Sequence, residues 1–192
     1  MKLNNTYFLM RHGEALSNRE RFVSCWPEKI YNPLTDKGKK EVEKLISELK
    51  KKKIDLIFSS DLLRTKQTAQ MLSMALMLKI NFDKRLREIG TGIFNGKAEE
   101  DWNNFYETNA ERFTKRPQGG ENYRDIRKRI SSFIKEIDKN HKNKNILIVS
   151  HGCVLFSLQA FVKNLSEKEE TKQRKNLILK TGTFKKLWTY RE

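Results

Sequence analysis

Cysteine, histidine and proline are all scarce in this chain. Cys25 and Cys153 are its two cysteines, too few for a disulfide framework and without the C-x-x-C spacing of a metal clip. A reducing, cytoplasmic setting is therefore expected. Cys153 follows an apolar run, where a free thiol behaves as a small apolar residue. Three histidines occur in 192 residues, and with no cysteine pair to join them they are too few for a zinc site. No apolar stretch approaches the roughly 18 residues that a membrane span needs. The first apolar run, Tyr7 to Met10, is too short for the core of a secretory signal. Gly-x-x-x-x-Gly-Lys-Ser/Thr is absent, which sets aside a P-loop nucleotide enzyme. There is also no internal repeat and no low-complexity linker, so residues 1–192 read as a single domain.

Charge of one sign is in excess. Forty basic residues against 24 acidic ones leave a net charge of +16, a balance that invites a nucleic-acid reading. The distribution argues otherwise. The lysines of 37–53 are interrupted by Glu41, Glu43 and Glu48, as on the solvated face of an amphipathic helix. No basic groove interleaved with aromatics and no recognition-helix motif is present. Nucleic acid is not the expected partner, although the charge helps to gather anionic substrates.

Short apolar runs alternate with longer helical periodicities, which argues for α/β layering. Strands are expected at 6–10, 55–59 and 145–150, each mostly continuous apolar, as in a sheet covered on both faces. A short strand at 80–82 and a terminal edge strand at 185–190 complete the set. Thr35 is placed to cap a helix reaching about 52, with Val42, Leu45, Ile46 and Leu49 at helical spacing. Ser60 or Asp61 is placed to cap a second helix, to about 78. A third follows Gly119-Gly120 to about 139, burying Ile126, Ile130, Phe133, Ile134 and Ile137, and the last clear one runs from Gly152 to about 162. Residues 89–118 hold Trp102, Phe105, Tyr106 and Phe113 among polar neighbours and read as a mostly helical insertion over the site.

Two of the histidines share one setting. Arg11-His12-Gly13 closes the first strand and Ser150-His151-Gly152 closes a later one. Ligands of open α/β sheets bind at the carboxyl ends of strands, so two His-Gly corners can meet across one crevice. Arg64 falls in the first turn of a helix, where the macrodipole disfavours a cation. Either an anion lies nearby or the side chain reaches away. Arg11 and Arg64 together can clamp phosphoryl oxygens with planar, bidentate donors, and the helix opening at Gly152 points its amides the same way. Such a site carries its charge without a metal or other cofactor.

Arg11-His12-Gly13-Glu14, with Asn18 four residues on, resembles the signature of the histidine phosphatase superfamily, in its phosphoglycerate mutase-like branch. Further segments match in the family's order: Pro33-Leu34-Thr35 with Gly38, Ser59 through Thr68, Leu86-Arg87-Glu88 with Gly92 and Gly96, Gly119-Gly120-Glu121, and Ser150-His151-Gly152. Two departures stand out: Phe94-Asn95-Gly96 replaces an aromatic-Glu-Gly sequence, and Asn122 replaces a serine after Gly-Gly-Glu. The resemblance implies a three-layer αβα fold on a mostly parallel sheet. It implies His12 as a nucleophile that forms a phosphohistidine, a protonated His151 that stabilises the transferring group with Arg11 and Arg64, and Asn18 as a donor to a phosphoryl oxygen. By position alone Glu88 reads as a loop carboxylate paired with Arg85 or Arg87; the resemblance instead makes it the general acid and base. Glu14 is left outside the catalytic set.

The expected substrate is a small phosphorylated metabolite, with a phosphoprotein also open, and the protein is expected as a monomer or homodimer. Only 30 residues separate Glu88 from Gly119. That shortness favours water access and a phosphatase over a mutase, although Lys97, Arg112, Lys115 and Arg116 leave a mutase or bisphosphatase open.

Overall fold

A computed structural model describes residues 1–187. Among these residues five strands form one sheet: β1 (Thr6–Arg11), β2 (Leu56–Ser59), β3 (Ile80–Phe82), β4 (Asn145–Ser150) and β5 (Phe184–Lys186). Their order is β3-β2-β4-β1-β5, with every pair parallel except β1 with β5. The expected edge strand is present at its start, and positions 188–190 of it lie outside the described residues. Among the described residues, seven helices surround the sheet: α1 (Leu16–Glu20), α2 (Asp36–Lys51), α3 (Leu63–Leu76), α4 (Glu99–Asn104), α5 (Tyr123–Asn140), α6 (Gly152–Val162) and α7 (Glu167–Leu177). None of them is long and apolar enough to cross a membrane.

Alternation along the strands sorts the core into two layers. Tyr7 and Leu9 of β1 and Ile146 and Ile148 of β4 pack on one face, with Ile126, Ile130, Phe133 and Ile134 of α5 and Val154, Leu155 and Leu158 of α6. Phe8, Met10, Ile57, Leu147 and Val149 point to the other face, toward Val42 and Leu49 of α2 and Ala69 and Leu72 of α3. Each fully buried Ile or Leu contributes about 1.5–3 kcal/mol by leaving water, so the two layers hold the strand ends in fixed register. The three-layer αβα expectation holds.

Helix starts follow their capping chemistry. Thr35 Oγ1 accepts the Gly38 N–H at 3.0 Å and opens α2. Asn122 and Asp125 form a reciprocal capping box that opens α5, so asparagine does at 122 what a serine would. Two expectations need correction. α3 begins at Leu63 after Leu62, with no side-chain cap, because Ser60 is engaged by His151 and Asp61 by Arg87. Residues 89–118 hold only the six-residue α4 and two short 3-10 segments, Gly92–Phe94 and Asn109–Phe113. That segment is knitted by aromatic edge contacts among Phe94, Trp102, Phe105 and Tyr106 more than by helix. α7 has no clear signal in the sequence. Its mostly polar residues hide the two buried ones, Glu170 and Leu177, that dock it.

Candidate active site

The strand order brings the two His-Gly corners together. β1 and β4 are adjacent and parallel with Arg11 opposite Ser150, so His12 and His151 each lie one residue past the end of a neighbouring strand. The His12 N–H donates to Ser150 O at 3.1 Å, and the two imidazole centroids are 5.2 Å apart. β2 ends opposite Val149 on the other side of β4 and delivers Arg64 through the start of α3. Two glycines permit the turn after His12. A Cβ on Gly13 would collide with Gly38 O, and one on Gly38 with the Glu14 backbone. The spacing of the Arg-His-Gly and Pro-Leu-Thr-x-x-Gly segments therefore records a backbone crossing that admits no side chain.

His12 is 2% exposed, and its two ring nitrogens are distinguished by their partners. Arg64 Nε–H donates to Nε2 at 3.3 Å. Since an arginine can only donate, Nε2 holds the lone pair and Nδ1 carries the proton, donated to Gly13 O at 2.8 Å. Burial, then the charges of Arg64 and Arg11, hold its pKa well below the usual histidine value. The ring is a neutral imidazole with its basic nitrogen turned toward the arginine.

His151 is fully buried, with Nε2 2.9 Å from Ser60 Oγ and Nδ1 without a hydrogen-bond partner. Burial and the charges of Arg64, His12, Arg11 and Arg129 push its pKa well below the usual value. In the free protein the ring is therefore neutral; the expected protonated His151 belongs to the state with the transferring group bound. A doubly negative group placed between the rings would reverse that balance.

Arg64 is 3% exposed. Its Nη2 donates to Ser24 O at 3.0 Å, and Nη1 lies 3.4 Å from both Ser24 Oγ and Glu28 Oε1. Of the two readings of this arginine, the inward one holds: it turns to the histidines. Burial lowers its pKa, opposed by the charges of Glu88 and Glu28, so Glu88 faces the same centre. Arg11 Nη1 donates to Leu179 O at 3.0 Å, while its Nε is buried without a partner. The guanidinium of Arg11 lies against Gly152, where a Cβ would stand 3.4 Å from its carbon.

Glu88 is half-buried and accepts the Ile89 N–H at 2.9 Å. Its pairing with Arg85 or Arg87 is not realised: Arg85 binds Asp83 and Glu136, and Arg87 binds Asp61 at 2.6 Å. Glu14 is bridged to Lys37 and bonded to Thr35, and Glu121 is bridged to Arg129. Neither is free for proton transfer. Asn18 caps α1, its Oδ1 accepting the Ala15 N–H at 3.0 Å, which leaves the NH2 as its available donor.

Reading from sequence misses Ser60, Ser24 and Glu28, which hold His151 and Arg64 from outside. The one signal for Ser60 is its place beside the strand end, and that place also suits a helix cap. Asn95, one of the two departures, holds the 25–27 turn by accepting the Cys25 N–H at 3.1 Å and donating to Pro27 O at 2.7 Å. A cavity of about 360 Å³ lies beside that turn, walled by Trp26, Ile93 and Gly119 among others. None of the clustered histidines and arginines lines it. Among the described residues, no group of three or more His, Cys, Asp or Glu is arranged to hold a metal ion.

The chain is similar to known proteins in sequence and in fold. A family model described as histidine phosphatase superfamily (branch 1) matches residues 7–178. Phosphoserine phosphatase 1 of Hydrogenobacter thermophilus is 31% identical over 148 residues, 74% of this chain and 69% of its own. "Probable phosphoglycerate mutase GpmB" of Salmonella choleraesuis is 29% identical over 174 residues, 87% of this chain and 79% of its own. Among solved structures, Bacillus stearothermophilus YhfR superposes with a TM-score of 0.77 at 29% identity, covering 86% of this chain and 83% of that one. The Shigella flexneri alpha-ribazole phosphatase superposes at 0.78 and 23% identity, covering 94% and 89%, which speaks for the fold alone.

Proposed function

From the premise that the chain belongs to the histidine phosphatase superfamily, branch 1, and is an enzyme of its phosphatase or mutase kind, we propose that it hydrolyses phosphomonoesters through a phosphohistidine on His12, with no metal. One observation carries this reading. The lone pair of His12 Nε2 is held toward a buried arginine while Nδ1–H is anchored on Gly13 O. An arriving phosphoryl group takes over the Arg64 donors and leaves Nε2 free to attack phosphorus. As the N–P bond forms, positive charge grows on the ring, and Gly13 O stabilises it through the Nδ1 proton.

Glu88 acts as the general acid, and a proton passes through it to the leaving oxygen as the P–O bond breaks. Water then attacks phosphorus, the N–P bond breaks, and Glu88 takes up the proton of the water. Arg11, Arg64, the Asn18 NH2 and the Gly152 amide supply donors to the three phosphoryl oxygens. His151 gains a proton when the dianion binds. The charge is carried by guanidinium groups and a helix start, which is the support for a reaction that needs no metal.

The test is chemical trapping. Acid-labile, alkali-stable phosphate should form on the wild-type protein and be absent from His12→Ala, whose turnover falls by several orders of magnitude. Wild-type turnover in the variant would remove His12 from the mechanism. A mutase remains the second reading, favoured by the similarity to a protein of that name. Transfer of labelled phosphate between two positions of a phosphoglycerate, without release to water, would establish it.

A further inference from the structure

Glu88 sits in a stretch of chain with little regular structure to hold it. The 3-10 turn Lys84–Leu86 ends with Arg87 extended, and no helix or strand covers 87–91. The Glu88 carboxylate accepts the Ile89 N–H, and among the described residues no side-chain partner orients it. Its direction therefore depends on how the backbone on either side of it is fixed.

Side chains from three other places fix that backbone. Ser150, the last residue of β4, donates from Oγ to Leu86 O at 2.7 Å, while its own carbonyl accepts the His12 N–H at 3.1 Å. Arg129 of α5 donates from Nη1 to Arg85 O, and from Nε and Nη2 to the two Glu121 oxygens at 3.0 and 3.1 Å. Glu121 in turn holds both polar groups of Gly90. Its Oε2 accepts the Gly90 N–H at 2.8 Å, and its backbone N–H donates to Gly90 O at 2.7 Å. A Cβ on Gly120 would stand 2.7 Å from Gly90 O, so the Gly-Gly-Glu loop can come this close only with glycine at that position. Glu88 is thus gripped at 85 and 86 on one side and at 90 on the other.

Neither Glu121 nor Arg129 has a part in the reaction above. Their ion pair is partly exposed, with side chains 29% and 17% accessible, and such pairs add little to stability. What the pair does is join both ends of the 85–90 segment through one planar fork. We propose that Glu121 and Arg129 are positioning residues, which hold this segment so that the Glu88 carboxyl meets the leaving oxygen. The inference rests on the phosphoryl-transfer reading above, with Glu88 as general acid and base.

Two esters compared by kcat/KM, which reports formation of the phosphoenzyme, test the clamp. Glycerol 3-phosphate has a poor leaving group that needs the acid, whereas p-nitrophenyl phosphate needs it little. Glu121→Gln and Arg129→Lys should each slow the alkyl ester about 10- to 100-fold, the scale of a displaced catalytic group, and the aryl ester far less. Lysine keeps the charge that Arg129 presents to His151 but cannot reproduce the fork. Added to Glu88→Gln, either substitution should cost the alkyl ester nothing further, because the clamp acts only through Glu88. A purely structural role predicts equal losses on both esters and losses that multiply in the double variants. Either of those results, or single variants with wild-type rates, would overturn the clamp and leave Glu88 in place. If Glu88→Gln itself slows both esters equally, the acid and base assignment falls first and the clamp falls with it. Each comparison is a ratio within one preparation, and Arg129→Lys carries the test if Glu121→Gln folds poorly.

Discussion

Lowering the pH from 7.5 to 5.5 should destabilise the free protein through its two buried histidines, by an amount that mutation can isolate. Both imidazoles are held neutral, with pKa values well below the 6.5 of an unfolded chain, by burial and by the arginines around them. Over this range the unfolded state binds protons that the folded state refuses, so stability falls as pH falls through 6.5. Each histidine should cost about 1.4 kcal/mol over those two pH units, and the pair about 2.7 kcal/mol. Glu170 works in the opposite direction. Burial, outweighing the attraction of Arg127, raises its pKa to about 7, so the folded state binds a proton first and gains about 2 kcal/mol over the same interval. Carboxylates with depressed pKa values, such as Glu14 and Asp61, release their stabilisation only below about pH 4.5, beneath this window. The wild type should therefore lose only about 1 kcal/mol net. His12→Asn should turn that loss into a small gain of about 0.5 kcal/mol on acidification, and the double variant with His151→Asn should gain about 2 kcal/mol. Urea unfolding at the two pH values measures all three. Identical losses in the wild type and the double variant would refute the neutral-pair argument.

Activity should survive exhaustive chelation, and vanadate, which approximates the geometry of the transferring group, should inhibit tightly; an obligatory magnesium or zinc requirement would remove the proposed mechanism. Glu88→Gln should slow alkyl phosphates by roughly 10²–10⁴-fold. An activated aryl phosphate should suffer less and show a burst of released phenol, whereas equal and small losses on both would take Glu88 out of the reaction. Gly38→Ala should destabilise by about 1–3 kcal/mol, because the new methyl meets the Glu14 backbone. Urea midpoints unchanged by that substitution would mean that the crossing has room for a side chain.

The parts of this fold that are legible in the sequence are those in which one local pattern determines the outcome. Continuous apolar runs read as covered parallel strands, and the spacing of Val42, Leu45, Ile46 and Leu49 reads as the buried face of α2. The paired His-Gly corners are legible because a polar, turn-forming pair recurring at two strand ends is hard to account for by packing alone. What cannot be read depends on distant partners. Ser60 looks like a cap until β4 places His151 beside it. Glu88 looks like the partner of Arg85 or Arg87 until Asp83, Glu136 and Asp61 are seen to occupy them. α7 carries charges on nearly every turn, and the burial of Leu177 in the core and of Glu170 against Arg127 of α5 shows why it docks.

The two histidines share a strand-end setting and a depressed pKa, yet their hydrogen-bond partners give them opposite capacities. His12 Nε2 faces a guanidinium, which has no lone pair to offer, so a proton on that nitrogen would meet the Arg64 N–H head-on. His151 Nε2 faces the Ser60 hydroxyl, which can donate or accept, so the ring can take up a proton without losing that bond. Its Nδ1, buried without a partner, is then the donor left over for an anion. Binding of a phosphoryl dianion would raise both pKa values by the same Coulombic cause. Only at His151 does the surrounding structure accept the result. Under the proposed mechanism, one arginine and one serine would thus divide the labour between a nucleophile that stays bare and a donor that charges on demand. Exchanging Ser60 for alanine should weaken that division by removing the acceptor, visible as vanadate affinity that declines more steeply with rising pH than in the wild type. An unchanged pH profile for vanadate binding in Ser60→Ala would show that His151 charges without the help of this hydroxyl.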